Sequence, residues 1–329
     1  MFWRFISSSI ACAWLLLHSP AYAAGACGDT HPGTNRVTIT SGGQKQSFDL
    51  VLPASLDSAK RVPLVIGLHP SGGTGATFDQ DTGLAAAATA KGFAVMFPDG
   101  GIRQAGANGS GGYFWNIPGV PLVSGDAVPS DARDDIRFLK DAIDQLVKNN
   151  CIDKRRIYAT GFSGGARMAS MVGCRLADRI AAVAPVGGLR AGRASGPEFA
   201  EPDAGDCRPA RPIAVLALHG TDDPTNPFPG GGGLRWGYSV ERAAAQWASL
   251  DHCGATPALV KISEHVTRVS YGACGMGSEV MLYRTEAPRD QGGGHVWPGG
   301  ARDLSTRAQK PQAAELEATA VVLDFFARH

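Results

Sequence analysis

The sequence predicts an α/β protein built on a mostly parallel, doubly wound sheet with helices on both faces, and three observations support this. First, short apolar runs alternate along the chain with helical patterns. The runs "PLVIGLH", "GFAVMFPDG", "RRIYATGF", "IAAVAPVGG", "PIAVLALHG" and "EVMLYRTEA" read as strands, and such alternation is how a parallel sheet is wound. Second, several of these runs are apolar almost without interruption, as strands covered on both faces must be. Third, the Gly/Pro-rich stretches at 100–130, 190–210, 224–237 and 288–303 follow strands or connect them, so they read as loops around a cleft and not as interdomain linkers.

Taken in order, residues 1–23 read as a secretory signal peptide: Arg4 opens it, Ile6 to Leu17 is mostly apolar, and Ala21-Tyr22-Ala23 offers a small-x-small cleavage pattern. The apolar run is too short for a stable bilayer span, and residues 24–329 are expected to form a single α/β domain. The segments "RVTIT" and "QSFDLVLP" around "SGGQK" alternate as a hairpin on a sheet edge. Helices are expected at about 78–91, 131–149, 164–177, 239–250 and 310–328. Ser130 is the expected N-cap of the second, with Asp131, Asp134 and Asp135 at the positive end of its dipole.

Composition narrows the partners. Lys+Arg number 31 against 30 Asp+Glu, a formal net charge of +1, with no long run of one sign. That leaves no electrostatic footprint for nucleic acid or for an anionic membrane; the expected partner is a neutral or weakly charged molecule. Of seven cysteines, Cys12 would leave with the signal. Cys27, Cys151, Cys174, Cys207, Cys253 and Cys274 remain, an even set that suggests disulfides in an oxidising compartment, periplasm or medium. Cys253 with Cys274 is the pairing suggested by their short separation. No Cys-x-x-Cys is present, so a zinc site is not expected.

Four segments at strand ends carry the chemistry, and ligands of an open α/β sheet bind at the carboxyl ends of its strands. In "IYATGFSGGARMA", Ser163 lies in a Gly-x-Ser-x-Gly turn between a strand and a helix, where Gly161 and Gly165 permit the crowding of a sharp elbow. "LALHGTDDP" ends another strand with two adjacent carboxylates, either of which could orient a histidine. "GGGHVWPGG" then places His295 in a loop after the last strand. Serine, acid, histidine is the chain order of α/β-hydrolases. An oxyanion hole needs the N–H of Gly164 and a second donor from "HPSGG"; Pro70 has no N–H, which leaves Ser71 or a neighbouring glycine. His69 and His219 sit at strand ends and read as structural.

The ordered set "LHPSGG", "YFWN", "ARDDIRFL", "CIDKRRIYATGFSGG", "RIAAVAPVGG", "HGTDDPTNPF" and "GGGHVWPGG" resembles the secreted polyhydroxybutyrate depolymerase family, which also holds feruloyl and acetylxylan esterase-like proteins. The resemblance implies an α/β-hydrolase fold, a serine esterase working without metal or cofactor, and a triad of Ser163, Asp223 and His295. It also implies oxyanion donors at Ser71 and Gly164, and a substrate cleft lined by Trp115 and Trp297. The chain departs from the family at Pro70, where glycine is usual. No linker or polymer-binding domain follows the last helical segment, which favours feruloyl or acetyl esters of plant polysaccharide over solid polyester. A polyhydroxybutyrate or hydroxyalkanoate oligomer depolymerase is the alternative. Two other classes are weighed: a prolyl-oligopeptidase-like peptidase, against which the absence of a propeller repeat counts, and a binding protein that keeps the fold without turnover.

Overall fold

A computed structural model describes Met1 and residues 30–56, 60–104, 111–149, 152–301 and 315–329. The expected signal peptide, and Cys27 and Cys151, lie outside the described residues. Ten strands form one sheet: β1 (Gly33–Ser41), β2 (Gln44–Leu52), β3 (Val62–Leu68), β4 (Ala94–Phe97), β5 (Ile152–Phe162), β6 (Ala182–Val186), β7 (Ala214–Gly220), β8 (Ala258–Lys261), β9 (Val266–Tyr271) and β10 (Val280–Thr285). Their order is β1-β2-β4-β3-β5-β6-β7-β10-β9-β8. The six central strands, β4 to β10 in that order, run parallel. An antiparallel hairpin closes each side: β1–β2 against β4, and β8–β9 against β10.

Burial follows from this arrangement. Every residue of β3, β4, β6 and β7 is buried, and successive side chains enter opposite layers, Leu64, Ile66 and Leu68 on one face and Val65 on the other. Helices α3 (Asp135–Lys148), α4 (Gly164–Arg175) and α5 (Val240–Leu250) cover the first face through Phe138, Met168 and Trp247. On the second face, α1 (Gly75–Thr82), α2 (Leu84–Ala90) and α6 (Ala318–Phe326) bury Phe78, Leu84 and Phe325. The doubly wound sheet expected from the sequence is therefore present, as an α/β-hydrolase fold.

Details differ from expectation for physical reasons. The single helix expected at 78–91 is two, because Gly83 takes a left-handed conformation (φ 62°, ψ 22°) that ends α1 and precedes α2. The N-cap of α3 is Asp134, whose side chain accepts from the Arg137 N–H at 3.0 Å, and not Ser130. Asp135, the first residue of α3, is buried, accepts from the amides of Gly101 and Asn116, and pairs with Arg133. The hairpin β8–β9 was not anticipated. Of the helix expected at 310–328, residues 310–314 lie outside the described residues, and α6 covers Ala318–Phe326.

Among the described residues there are two disulfides, Cys253–Cys274 and Cys174–Cys207. The first is the pair suggested by separation; the second joins α4 to the loop before β7. No described helix is long and apolar enough to cross a membrane.

Candidate active site

Strand β5 and helix α4 meet at Ser163, whose φ of 55° and ψ of −111° put a non-glycine residue in a strained conformation. The neighbours show why the turn is rich in glycine. A methyl group on Gly165 would lie 2.0 Å from the Leu68 carbonyl oxygen, and one on Gly161 2.6 Å from the same atom. Only glycine lets the end of β3 pack this closely against the elbow. The Ser163 N–H donates to Val186 O at 3.0 Å, and the Arg167 N–H to Ser163 O at 3.1 Å, so the strained residue is fixed from both sides.

The loops after β7 and β10 bring the other two groups to it. His295 Nε2 is 2.9 Å from Ser163 Oγ, and His295 Nδ1 is 2.7 Å from Asp223 Oδ2. All three residues are buried, Ser163 at 9%, His295 at 7% and Asp223 at 4% exposure. The ring of His295 lies 4.6 Å from that of Phe162. Gly220 admits the histidine loop, since a methyl there would lie 2.1 Å from Gly293 O. Asp222, the adjacent carboxylate, turns outward to Arg289 at 2.8 Å, and so is separated from the histidine by the strand's own turn.

Asp223 is held as an anion. Burial opposes its charge, but hydrogen bonds from His219 and His295 outweigh that and keep the carboxyl well below the usual carboxylate range. Its Oδ1 accepts from the amides of Thr225 and Asn226, each at 2.8 Å. His219 was expected to be structural; its Nε2 lies 3.4 Å from Asp223 Oδ2 and 2.9 Å from Asn226 O, so it touches the acid directly. Asn226 further donates to Gly187 O at 2.6 Å and so joins the acid's loop to the end of β6. Nothing in the spacing of "DDPTNPF" marks that role.

The expected oxyanion donors are adjacent. A methyl on Gly164 would lie 3.1 Å from Ser71 N, and among the described residues neither amide donates to a protein acceptor. Pro70, despite having no N–H, serves the loop as an acceptor: its carbonyl takes bonds from the Gly73 N–H at 2.9 Å and from His69 Nδ1 at 2.8 Å. His69 in turn accepts from the Gly100 N–H at 3.0 Å; burial lowers its pKa to about 4, opposed by the bond to Pro70. It is the neutral anchor of the Ser71 loop.

The two tryptophans part company. Trp115 stacks on His69, donates to His69 O at 2.8 Å, and borders a narrow cavity shared with Ser71 and Gly164. Trp297 does not line the cleft: it is fully buried, packs edge-on against Phe78, and donates to Thr319 Oγ1 at 3.0 Å, which itself donates to Thr82 O. Two residues beyond His295, it ties the histidine loop to α1 and α6. Among the described residues no cluster of His, Cys, Asp or Glu could hold a metal ion.

The parallel sheet, the elbow and the three strand-end loops place this chain among the α/β-hydrolases. The acetyl xylan esterase from Aspergillus awamori shares the fold, with a TM-score of 0.52 at 14% identity over 80% of this chain and 94% of that one. Residues 46–202 match the family model Esterase PHB depolymerase. The chain is 33% identical over 213 residues to Feruloyl esterase B of Piromyces equi, covering 62% of this chain and 35% of that protein. It is 29% identical over 150 residues to Poly(3-hydroxyalkanoate) depolymerase C of Paucimonas lemoignei, covering 45% and 32%. The chain thus spans about a third of the length of these curated relatives.

Proposed function

We propose that the chain is an exported serine esterase that hydrolyses carboxylic esters through an acyl-enzyme, with Ser163 as nucleophile, His295 as general base and acid, and Asp223 as the group that orients the imidazole. The observation that carries this reading is the continuous chain of contacts, 2.9 Å from Ser163 Oγ to His295 Nε2 and 2.7 Å from His295 Nδ1 to Asp223 Oδ2. In the first half-reaction Ser163 Oγ attacks the ester carbonyl carbon as its proton passes to His295 Nε2. The amides of Ser71 and Gly164 hold the oxyanion, at the dipole-positive start of α4. Asp223 stabilises the imidazolium, which then protonates the departing alcohol. In the second, water gives a proton to His295 and attacks the acyl carbon; the acyl–Oγ bond then breaks, His295 returns the proton to Ser163 Oγ, and the carboxylic acid departs. The two disulfides are in keeping with an oxidising compartment.

The apolar walls of the cavity beside Ser71 and Gly164, among them Phe114, Trp115, Ile117 and Val120, support a feruloyl or acetyl ester of plant polysaccharide. The family match supports a hydroxyalkanoate oligomer as the second reading. Hydrolysis of methyl ferulate and of 3-hydroxybutyrate trimer, measured side by side, separates the two. Ser163→Ala is expected to remove at least about a thousandfold of kcat while the melting temperature stays near the parent's. A Ser163→Ala protein that cleaves p-nitrophenyl acetate at the parent rate would overturn the assignment.

A further inference from the structure

Next to the cavity that borders Ser71 and Gly164 lies a second, narrow one, and Arg167, Arg190 and Arg235 are among the residues that line it. Arg167 lines both cavities, as do Ile117 and Val120, so the two form adjoining parts of one cleft. Arg167 is on α4 one turn beyond Ser163, Arg190 in the loop after β6, and Arg235 in the loop after β7. Three elements that carry the site thus converge on one spot with positive charge.

Among the described residues neither Arg167 nor Arg190 has an ion-pair partner, whereas Arg235 feels the charge of Asp223. Arg167 and Arg190 are 6% and 7% exposed. Arg190 gives one nitrogen to Tyr238 O at 2.7 Å and lies 3.2 Å above the Trp236 ring, yet its Nε and Nη2 are buried without a partner. Among the described residues the Arg167 side chain donates only to the Arg235 carbonyl, at 3.3 Å, and its Nε is likewise buried and unpartnered. Arg235 donates to Asn226 Oδ1 and Thr225 O. No Asp or Glu lines the cavity, and its one other arginine, Arg193, is paired with Asp203. Burial, and the other arginines, depress the pKa of Arg167 to about 9. A guanidinium does not shed its proton to escape such a place, and a buried, unpaired charge is costly unless something pairs with it.

Resting on the esterase reading above, we propose that this cavity is a carboxylate subsite, and that the substrate is an ester bearing a free carboxylate beyond its scissile bond. A carboxylate is planar and accepts from two N–H groups at once, matching the unpartnered Nε and Nη2 of Arg190, with the Nε of Arg167 as a third unpartnered donor. The rest of the wall, Ile117, Val120, Met171 and Leu234, takes the apolar stem that carries the anion. Two sources supply such an ester: the acid end of a hydroxyacid oligomer, and an acylated uronic acid unit of a polysaccharide.

The test compares kcat/KM on 3-hydroxybutyrate dimer as the free acid and as its methyl ester, and on an acetylated aldobiouronic acid and its methyl ester. The free acid of at least one pair is expected to be preferred by tenfold or more, and the pair that shows it identifies the source. Arg167→Gln, with Arg190→Gln as a second variant in case the first does not fold, should lower that ratio at least fivefold, and Arg167→Lys should restore part of it. Equal use of acid and methyl ester in both pairs, or an undiminished ratio in folded variants, overturns the proposal. Calorimetric binding of the dimer acid to Ser163→Ala, which needs no turnover, tests the subsite separately: a parent that cleaves no ester refutes the esterase reading, whereas absence of binding refutes the subsite.

Discussion

Asp251, at the C-terminal end of α5, is fully buried; one carboxylate oxygen accepts from the Ile213 N–H at 3.1 Å and the other has no partner. Burial pushes its carboxyl from 3.8 up to about 7, against the opposing bond from Ile213. A value raised in the folded state means that the native protein binds a proton the unfolded chain releases. The stabilisation is complete below the ordinary carboxylate value, declines as pH rises, and is gone above about 7. The melting temperature of Asp251→Asn, followed from pH 4 to 8 beside the parent, is therefore expected to lack that decline; parallel curves for the two proteins would refute it. At this same scale, Ser163 and His295 were legible because each sits in a glycine-rich frame at a strand end, and glycine there has a steric reason that can be read from letters alone. Asn226 and Arg190 were not. Their partners are carbonyls of residues 39 and 48 positions away, and sequence spacing holds no record of such pairings. Arg167, four residues after Ser163 and hence on the same face of α4, gave a signal that could have been followed.

Elements matter here chiefly through how closely they approach. The end of β3 rests against the β5–α4 elbow with no room for a side chain at Gly165, and the loop after β3 is the one that carries Ser71. Gly165→Ala places a methyl 2.0 Å from Leu68 O, so strand end and helix must separate. We expect a loss of about 1–3 kcal/mol in unfolding free energy together with a fall in kcat of about a hundredfold, since the Ser71 amide moves with the strand. Denaturant unfolding and steady-state kinetics check both, and an active variant with parental stability would show that the approach is not needed. Continuous apolar runs made the six central parallel strands readable. The hairpin β8–β9 escaped because β8 is exposed along its whole length and so carries no burial pattern. Gly83 was invisible as a helix break, because an alanine-rich segment follows it and a propensity reading runs straight through.

For the molecule as a whole, the link between Cys174 and Cys207 closes a separation of 33 residues and joins α4, which begins beside Ser163, to the loop that holds Arg190 and Arg193 in its first half. Closing such a loop restricts the unfolded chain by about 3–4 kcal/mol. The double variant Cys174→Ser/Cys207→Ser should melt well below the parent, and thermal unfolding with and without reductant should show the parent falling toward it. Insensitivity of the parent to reductant in the unfolded state would contradict this.

The sheet's outermost strand, β8, has consequences for handling the protein at high concentration. Leu259 is 62% exposed and Val260 41%, with Ile262 just beyond at 43%, and one side of the strand's backbone faces no neighbour in the sheet. An unpaired edge with apolar side chains is a template for another strand. Lys261, the one charge within β8, is the only residue there that opposes such stacking, and it is itself tied to Glu286 at 3.1 Å. Self-association at high concentration is therefore expected to start at this border of the sheet, and Leu259→Lys should lower turbidity there, since Leu259 lines neither cavity beside the triad.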